Sequence, residues 1–293
     1  MNKKEFICLS SDEIIERQLE LIHTIPFFEI EATNLCNLDC TFCTRNKLTR
    51  PLGKMDADTF SSIIESINPK SKVMFSGLGE PTLNSELSRF LFELTKQGNT
   101  VGITTHGTNL STDMIKKICE LDINFVQISI VSKKPEIYSK IMRKGNVDIV
   151  ISNIDKLLEN KRKKMIVRLS VIEGLDIPKD ESLIAYAKSK GIPIFFKTIH
   201  SRGGNLYDPK MMQSKGICGM FCKIIFITWN GDVLACSQDM TGETKLGNIT
   251  EDNIEIILER KKRVVKSGQW YDICNKCNDP YRYILFEDAS DLE

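Results

Sequence analysis

Between Phe27 and Lys197 short apolar, β-branched runs alternate with amphipathic stretches, and this alternation leaves the chain few folds to choose from. Strand-like runs fall at Phe27 to Ala32, Val73 to Ser76, Val101 to Thr105, Phe125 to Ile130, Ile166 to Ile172 and Ile194 to Lys197. Helical periodicity fills the intervals: from Ser85 to Lys96, Leu87, Phe90, Leu91 and Leu94 recur at i, i+3, i+4 and i+7. Six strand–helix repeats predict a parallel sheet with helices outside it. Right-handed crossovers curl such a sheet, and six units fall short of the eight that close a barrel. The expected fold is α/β, a partial (β/α)6 TIM-like barrel, with function on the loops at the carboxyl ends of the strands.

The loop after the first strand carries Cys36, Cys40 and Cys43, spaced C-x3-C-x2-C, with Phe42 directly before the third. Thiolates so close together suit a soft metal or an iron–sulfur cluster. A four-iron cluster held by three protein thiolates keeps one iron open for a ligand, so the loop reads as a reaction centre; a structural zinc knuckle is the other reading. A second group, Cys218, Cys222, Cys236, Cys274 and Cys277, lies in a stretch of different texture. There Ile224 to Trp229, the Asn230-Gly231 turn and Val233 to Ala235 predict a hairpin with positive φ at both turn residues, and a helix spans about Glu251 to Lys266. Zinc bound by Cys218, Cys222, Cys274 and Cys277 is the minor alternative reading of this group, since CxxxC and CxxC pairs suit a zinc ribbon.

Composition narrows the function. Forty Lys and Arg against 39 Asp and Glu leave a net charge of +1, which gives nucleic acid no support as a partner. No apolar run approaches the ~20 residues of a membrane span, and the Lys-rich start lacks a signal peptide's apolar stretch. A cytoplasmic protein is expected, and ten cysteines there point to metal ligation and oxygen sensitivity rather than disulfides. The expected organisation is a helical extension over 1–25, with its helix from Ser11 to about His23, and a barrel over 26–200. A linker or active-site loop over 201–217 and a cluster module over 218–293 complete it. Cys119 is expected in a helical core and Cys8 to be incidental, while His23 carries no pattern. His200 could edge a cavity, and Asp208 and Glu243 are possible loop bases.

The three-cysteine loop, with Ser76-Gly77-Leu78-Gly79-Glu80-Pro81 one βα unit later, resembles the signature of the radical S-adenosylmethionine (SAM) superfamily. The resemblance implies a [4Fe-4S] cluster on Cys36, Cys40 and Cys43 whose open iron chelates SAM, and reductive cleavage of SAM to a 5′-deoxyadenosyl radical. Gly77, Gly79 and Glu80 match the family's GGEP turn, which receives the SAM amino group, with Ser76 and Leu78 as departures. Thr105, His106 and Ser129 would border the ribose and methionine portions, Arg143 would face the SAM carboxylate, and Ile172 would flank the adenine. The second cysteine group resembles the SPASM or shorter twitch extension. It implies a second, auxiliary [4Fe-4S] cluster on Cys218, Cys236, Cys274 and Cys277, with Cys222 spare or a hydrogen-atom donor. The implied function is hydrogen abstraction from a small molecule, such as a natural product or sugar, ending in oxidation. Epimerisation through Cys222 and peptide modification are the alternatives, with a non-enzymatic metal module furthest from the pattern. A reductant such as flavodoxin or ferredoxin is the implied partner.

Overall fold

The computed structural model describes residues 10–23, 26–121, 123–174, 179–207 and 218–283. Helix α1 (Ser11–His23) leads into β1 (Phe27–Ile30), the cluster loop with the short β2 (Asp39–Cys40), and α2 (Ala57–Ser66). The repeats continue as β3 (Lys72–Phe75), α3 (Leu87–Gln97), β4 (Thr100–Thr105), α4 (Thr112–Glu120), β5 (Phe125–Ser129) and α5 (Pro135–Ile141). After β6 (Met142–Arg143) come α6 (Val147–Asn160), β7 (Ile166–Glu173), α7 (Glu181–Lys190) and β8 (Ile194–Thr198). The carboxyl-terminal part adds α8 (Gly219–Lys223), β9 (Ile224–Ile227), β10 (Asp232–Leu234), β11 (Lys245–Asn248), α9 (Ile254–Ser267) and α10 (Asp272–Asn275).

The six expected barrel strands are present and parallel, each starting within one residue of its sequence position. They lie in one nine-stranded sheet of order β11-β10-β9-β1-β3-β4-β5-β7-β8. The hairpin therefore does not stand apart: β9 pairs in parallel with β1, Phe27 opposite Ile224 and Ile30 opposite Ile227. The α/β partial-barrel expectation holds, with the sheet running on into the cysteine-rich part.

Alternation within the strands separates two layers. Phe28, Ile30, Val73, Phe75, Val101, Ile103, Val126 and Ile128 face the helices and are buried. Phe60 of α2 and Phe90 of α3 stack over them with ring centroids 4.1 Å apart. The opposite face is polar: Glu29, Thr104, Gln127, Arg168, Ser170 and Lys197 occupy alternate positions, with Gln127 opposite Arg168 in the register. A barrel whose interior carries such groups is built as a chamber.

Helix α1 packs on α8 and α9, and its Ile22 is buried. The hairpin turn differs from expectation. Gly231 alone has positive φ, and its N–H donates to Thr228 O at 2.9 Å, so Trp229 and Asn230 form an ordinary turn closed by a left-handed glycine. Cys119 sits in α4, buried, as expected. Cys8, Asp208 and the 208–217 part of the expected loop lie outside the described residues, as does the His23 side chain. Among the described residues no helix is long and apolar enough to cross a membrane.

Candidate active site

The cluster loop is pinned at both ends. Thr33 Oγ1 donates to Gly53 O (2.6 Å), and β2 pairs antiparallel with β6, Cys40 opposite Met142. Within the loop Leu38 N donates to Cys36 Sγ at 3.5 Å, and Cys43 N donates to Cys40 O at 3.1 Å. Phe42 is half-buried against the core. Burial, then repulsion from Cys43 and Cys36, pushes the Cys40 thiol up to about 12. Burial also raises Cys36. Thiols arranged this way do not ionise together unless a cation neutralises them, which is what a cluster iron supplies.

The turn after β3 lies directly on this loop. A Cβ on Gly79 would stand 2.1 Å from Thr33 O, and one on Gly77 would meet the Glu31 side chain. Glu80 N donates to Leu35 O at 2.8 Å. The two glycines thus let the turn meet the backbone of the cluster loop, a closer reason for glycine than approach to a ligand.

Glu80 is 1% exposed and fully engaged. Its Oε1 accepts from Thr82 N, Thr82 Oγ1 (2.8 Å) and Thr105 Oγ1 (2.7 Å), and its Oε2 accepts from His106 N (2.9 Å). His106 Nδ1 accepts from Thr108 N (3.0 Å), which leaves the ring proton on Nε2, 2.9 Å from Asn37 Oδ1 and 3.2 Å from Glu80 Oε2. Burial lowers this histidine against the pull of Glu80, so it stays neutral. Thr105 and His106, expected to border the ribose and methionine portions, lock the Gly-Glu-Pro turn to the cluster loop. Arg143 Nε donates to Asp39 O (2.9 Å), so its side chain also braces the loop. Ser76 Oγ donates to Glu29 Oε1 at 2.6 Å. Ser129 and Ile172 stand at the ends of β5 and β7 on the chamber face, half-buried.

The second cysteine group converges on one place. Cys218 caps α8, Cys236 follows β10, and Cys274 and Cys277 lie in and after α10. Burial raises the Cys236 thiol well above its ordinary value, and Cys218, Cys274 and Cys277 repel its charge. Burial likewise raises Cys274 to about 12 and Cys218 to about 11. Backbone amides of Phe221, Gln238 and Asp279 donate to the sulfurs of Cys218, Cys236 and Cys277 at 3.4, 3.4 and 3.5 Å. Amides aimed at sulfur, in a setting that needs a compensating cation, suit an iron–sulfur cluster with four protein ligands. Arg282, 1% exposed, donates to Cys274 O (3.0 Å) and Cys277 O (2.6 Å) and adds a positive charge beside them.

Cys222 is turned elsewhere. It is 2% exposed, its Sγ is 3.9 Å from Gln18 Oε1 of α1, and Lys261 Nζ caps its carbonyl at 3.3 Å. A hydrogen-atom donor has to reach the substrate, and this thiol is sealed in the core. The zinc set that included Cys222 is likewise not assembled. Among the described residues no three cysteine, histidine or carboxylate side chains converge tightly enough for a single metal ion.

Three features escape sequence reasoning. Arg50 forms a buried pair with Glu31, Nη1 to Oε1 at 3.0 Å, and its Nε donates to Asp239 O at 3.0 Å, while Leu78 N donates to Glu31 Oε2. Glu31 inside an apolar strand-like run is its only sequence signal. Asn37 and Arg282 have none, since their partners lie on distant segments. His200 Nε2 lies 3.3 Å from Asp279 Oδ2, and Glu243 is exposed.

Residues 30–187 match the family model of the radical SAM superfamily, and residues 218–278 match that of the SPASM iron–sulfur cluster-binding domain. Among curated proteins, the tungsten-containing aldehyde ferredoxin oxidoreductase cofactor-modifying protein of Pyrococcus furiosus is 34% identical over 108 residues, 36% of this chain and 30% of its own length. The GTP 3′,8-cyclase of Clostridium acetobutylicum is 27% identical over 200 residues, 65% of this chain and 62% of the cyclase. The matches thus span less than two thirds of these relatives. Among solved structures, BtrN in complex with AdoMet and 2-DOIA superposes with a TM-score of 0.63 at 19% identity, covering 89% of this chain and 96% of BtrN. Streptococcus suis SuiB bound to precursor peptide SuiA gives 0.64 at 12% identity, covering 96% of this chain and 76% of SuiB. At such identities the likeness speaks for the fold.

Proposed function

This chain belongs to the radical SAM superfamily, and from that premise we propose that it oxidises a small molecule or a peptide residue by two electrons in the barrel chamber. Cys36, Cys40 and Cys43 hold the SAM-binding [4Fe-4S] cluster; Cys218, Cys236, Cys274 and Cys277 hold the auxiliary one. With SAM bound, the first cluster supplies reductive cleavage of the sulfonium and so the power to take a hydrogen atom from an unactivated carbon.

The protein's own part is placement. Glu80, through Thr105 and His106, fixes the Gly-Glu-Pro turn against the cluster loop, and the turn's free backbone groups with Ser129 and Ile172 remain to receive SAM. The observation that carries oxidation is the second quartet. Four thiols complete its ligand set, so it suits electron acceptance better than ligand binding. The sealed position of Cys222 argues against epimerisation through that thiol. A flavodoxin or ferredoxin is the proposed electron source, and the BtrN and SuiB likenesses support a small molecule or a peptide as substrate.

The test is anaerobic reconstitution with iron and sulfide, followed by dithionite and SAM. Release of 5′-deoxyadenosine is expected; none from protein with a full iron complement would overturn the proposal.

A further inference from the structure

The outer edge of the cluster loop is basic, and the proposed reaction has not used it. β2 and β6 form a sheet of their own, with Asp39 opposite Arg143 and Cys40 opposite Met142. Thr41 N donates to Ile141 O at 2.9 Å, so the end of α5 and β6 lie along the second cysteine of the loop. This stretch carries Lys140, Arg143 and Lys144, all exposed. A single 3-10 turn (Thr44–Lys47) begins directly after Cys43 and adds Arg45 and Lys47. Arg45 Nη2 reaches back to Leu38 O (3.2 Å), and Lys47 is exposed.

These five cations meet one carboxylate in the same segments, Asp39, which Arg143 already engages at 3.6 Å. Among the described residues no carboxylate lies within ion-pairing distance of Lys47, Lys140 or Lys144. The groups assigned to the two cysteine sets do not cancel the excess. Three thiolates on a four-iron core carry about one negative charge, about two after reduction, and the SAM sulfonium offsets one of them. The auxiliary group adds about two more on other segments, and the edge stays positive. The whole chain is nearly neutral, 40 basic against 39 acidic side chains, so the excess is a local asymmetry. The cations share no acceptor and come from two separate segments, which suits a broad acidic surface better than one small anion. Cys40 and Cys43, in the same loop, are only half-buried, and Thr41 between them is exposed. The site that must be reduced thus approaches solvent at this edge.

We propose that this edge, through Lys47, Lys140 and Lys144 above all, docks a small acidic protein that carries one electron at a time, and that the electron enters the SAM-binding site here. This deepens the proposed function and rests on it, since it takes Cys36, Cys40 and Cys43 as the ligands of the group to be reduced. The carrier leaves oxidised by one electron. That electron ends in the break of one carbon–sulfur bond of SAM, giving methionine and the 5′-deoxyadenosyl radical. Opposite charge steers the encounter and is screened by salt, while the bond cleavage itself is not.

The experiment compares two reductants on reconstituted, SAM-saturated protein: excess dithionite, which needs no docking, and reduced flavodoxin, an acidic carrier, below saturation. Lys47→Glu, Lys140→Glu and Lys144→Glu are combined; Arg45 and Arg143, which brace the loop, are left alone. Flavodoxin-driven release of 5′-deoxyadenosine should fall ~10-fold or more in this variant, and dithionite-driven release should not change. Raising salt from about 0.01 to about 0.1 M shortens the screening length from about 30 to about 10 Å. This should slow the flavodoxin reaction of the unaltered protein and hardly move that of the variant. The same three positions changed to Arg should keep the rate, which guards against misreading a fold defect. Flavodoxin-driven release that survives charge reversal, ignores salt, or falls no further than dithionite-driven release would each overturn the proposal. Binding of flavodoxin is followed by fluorescence anisotropy in the same samples. No release with dithionite, with charge-dependent binding intact, sinks the proposed reaction and leaves this surface; release with charge-blind flavodoxin binding sinks the surface alone.

Discussion

Cys218 and Cys222 lie one helical turn apart, and their fates differ because of residues far away in sequence. Cys218 meets Cys236, Cys274 and Cys277, whereas Cys222 meets Gln18, 204 residues earlier. Replacing Cys218 by Ala should therefore cut reconstituted iron by about half, since a four-iron cluster missing a ligand is labile. Cys222→Ala should keep its iron and cost about 1 kcal/mol in urea unfolding for the small cavity left. Iron analysis of both variants checks the pair, and loss confined to Cys222→Ala would reverse the ligand choice. Spacing alone made the thiols legible as ligands but could not separate these two. Glu80 shows the same limit. The Gly-Glu-Pro turn was readable as a site element, yet the carboxylate's partners, Thr105 and His106, come from the next βα unit, and no local pattern announces them.

Elements were the most readable scale, because periodicity is a local property. Strand positions and helix α1 follow from the spacing of apolar residues alone, while the parallel pairing of β9 with β1 joins segments nearly two hundred residues apart and leaves no mark in either. Helix α7 offers a sharper test of how an element is held. Burial alone would raise the Asp180 carboxyl, but Ser132 Oγ and Ser182 Oγ (both 2.6 Å), Lys133 N (2.7 Å) and Ser182 N (2.9 Å) donate to it and hold it well below the usual carboxylate range. A carboxyl depressed in the folded state stabilises fully above its unfolded pKa of about 4 and loses that contribution as pH falls toward the folded value. Asp180→Ala should thus cost about 1–2 kcal/mol at pH 7, the usual worth of an N-cap. The gap to the unaltered protein should narrow steadily below about pH 4. Urea midpoints at pH 7 and at acid pH check the sign.

At the scale of the molecule, the Glu31–Arg50 pair connects parts that the sequence presents as separate. Arg50 closes the segment after the cluster loop, Glu31 supports Leu78 of the Gly-Glu-Pro turn, and Asp239 O brings in the segment after Cys236. Arg50→Met would strand a buried carboxylate and should cost about 3–5 kcal/mol, with faster loss of auxiliary iron to a chelator. Combining it with Glu31→Gln should cost less than the sum of the two changes, because both remove one interaction. The union of β9 with β1 has a consequence for any shortened version of this chain. Cut before Cys218, β1 would present a bare row of amides and carbonyls as a template for neighbouring chains. Such a fragment would recruit its own copies into aggregates, visible by light scattering, even with every residue of the three-cysteine loop intact.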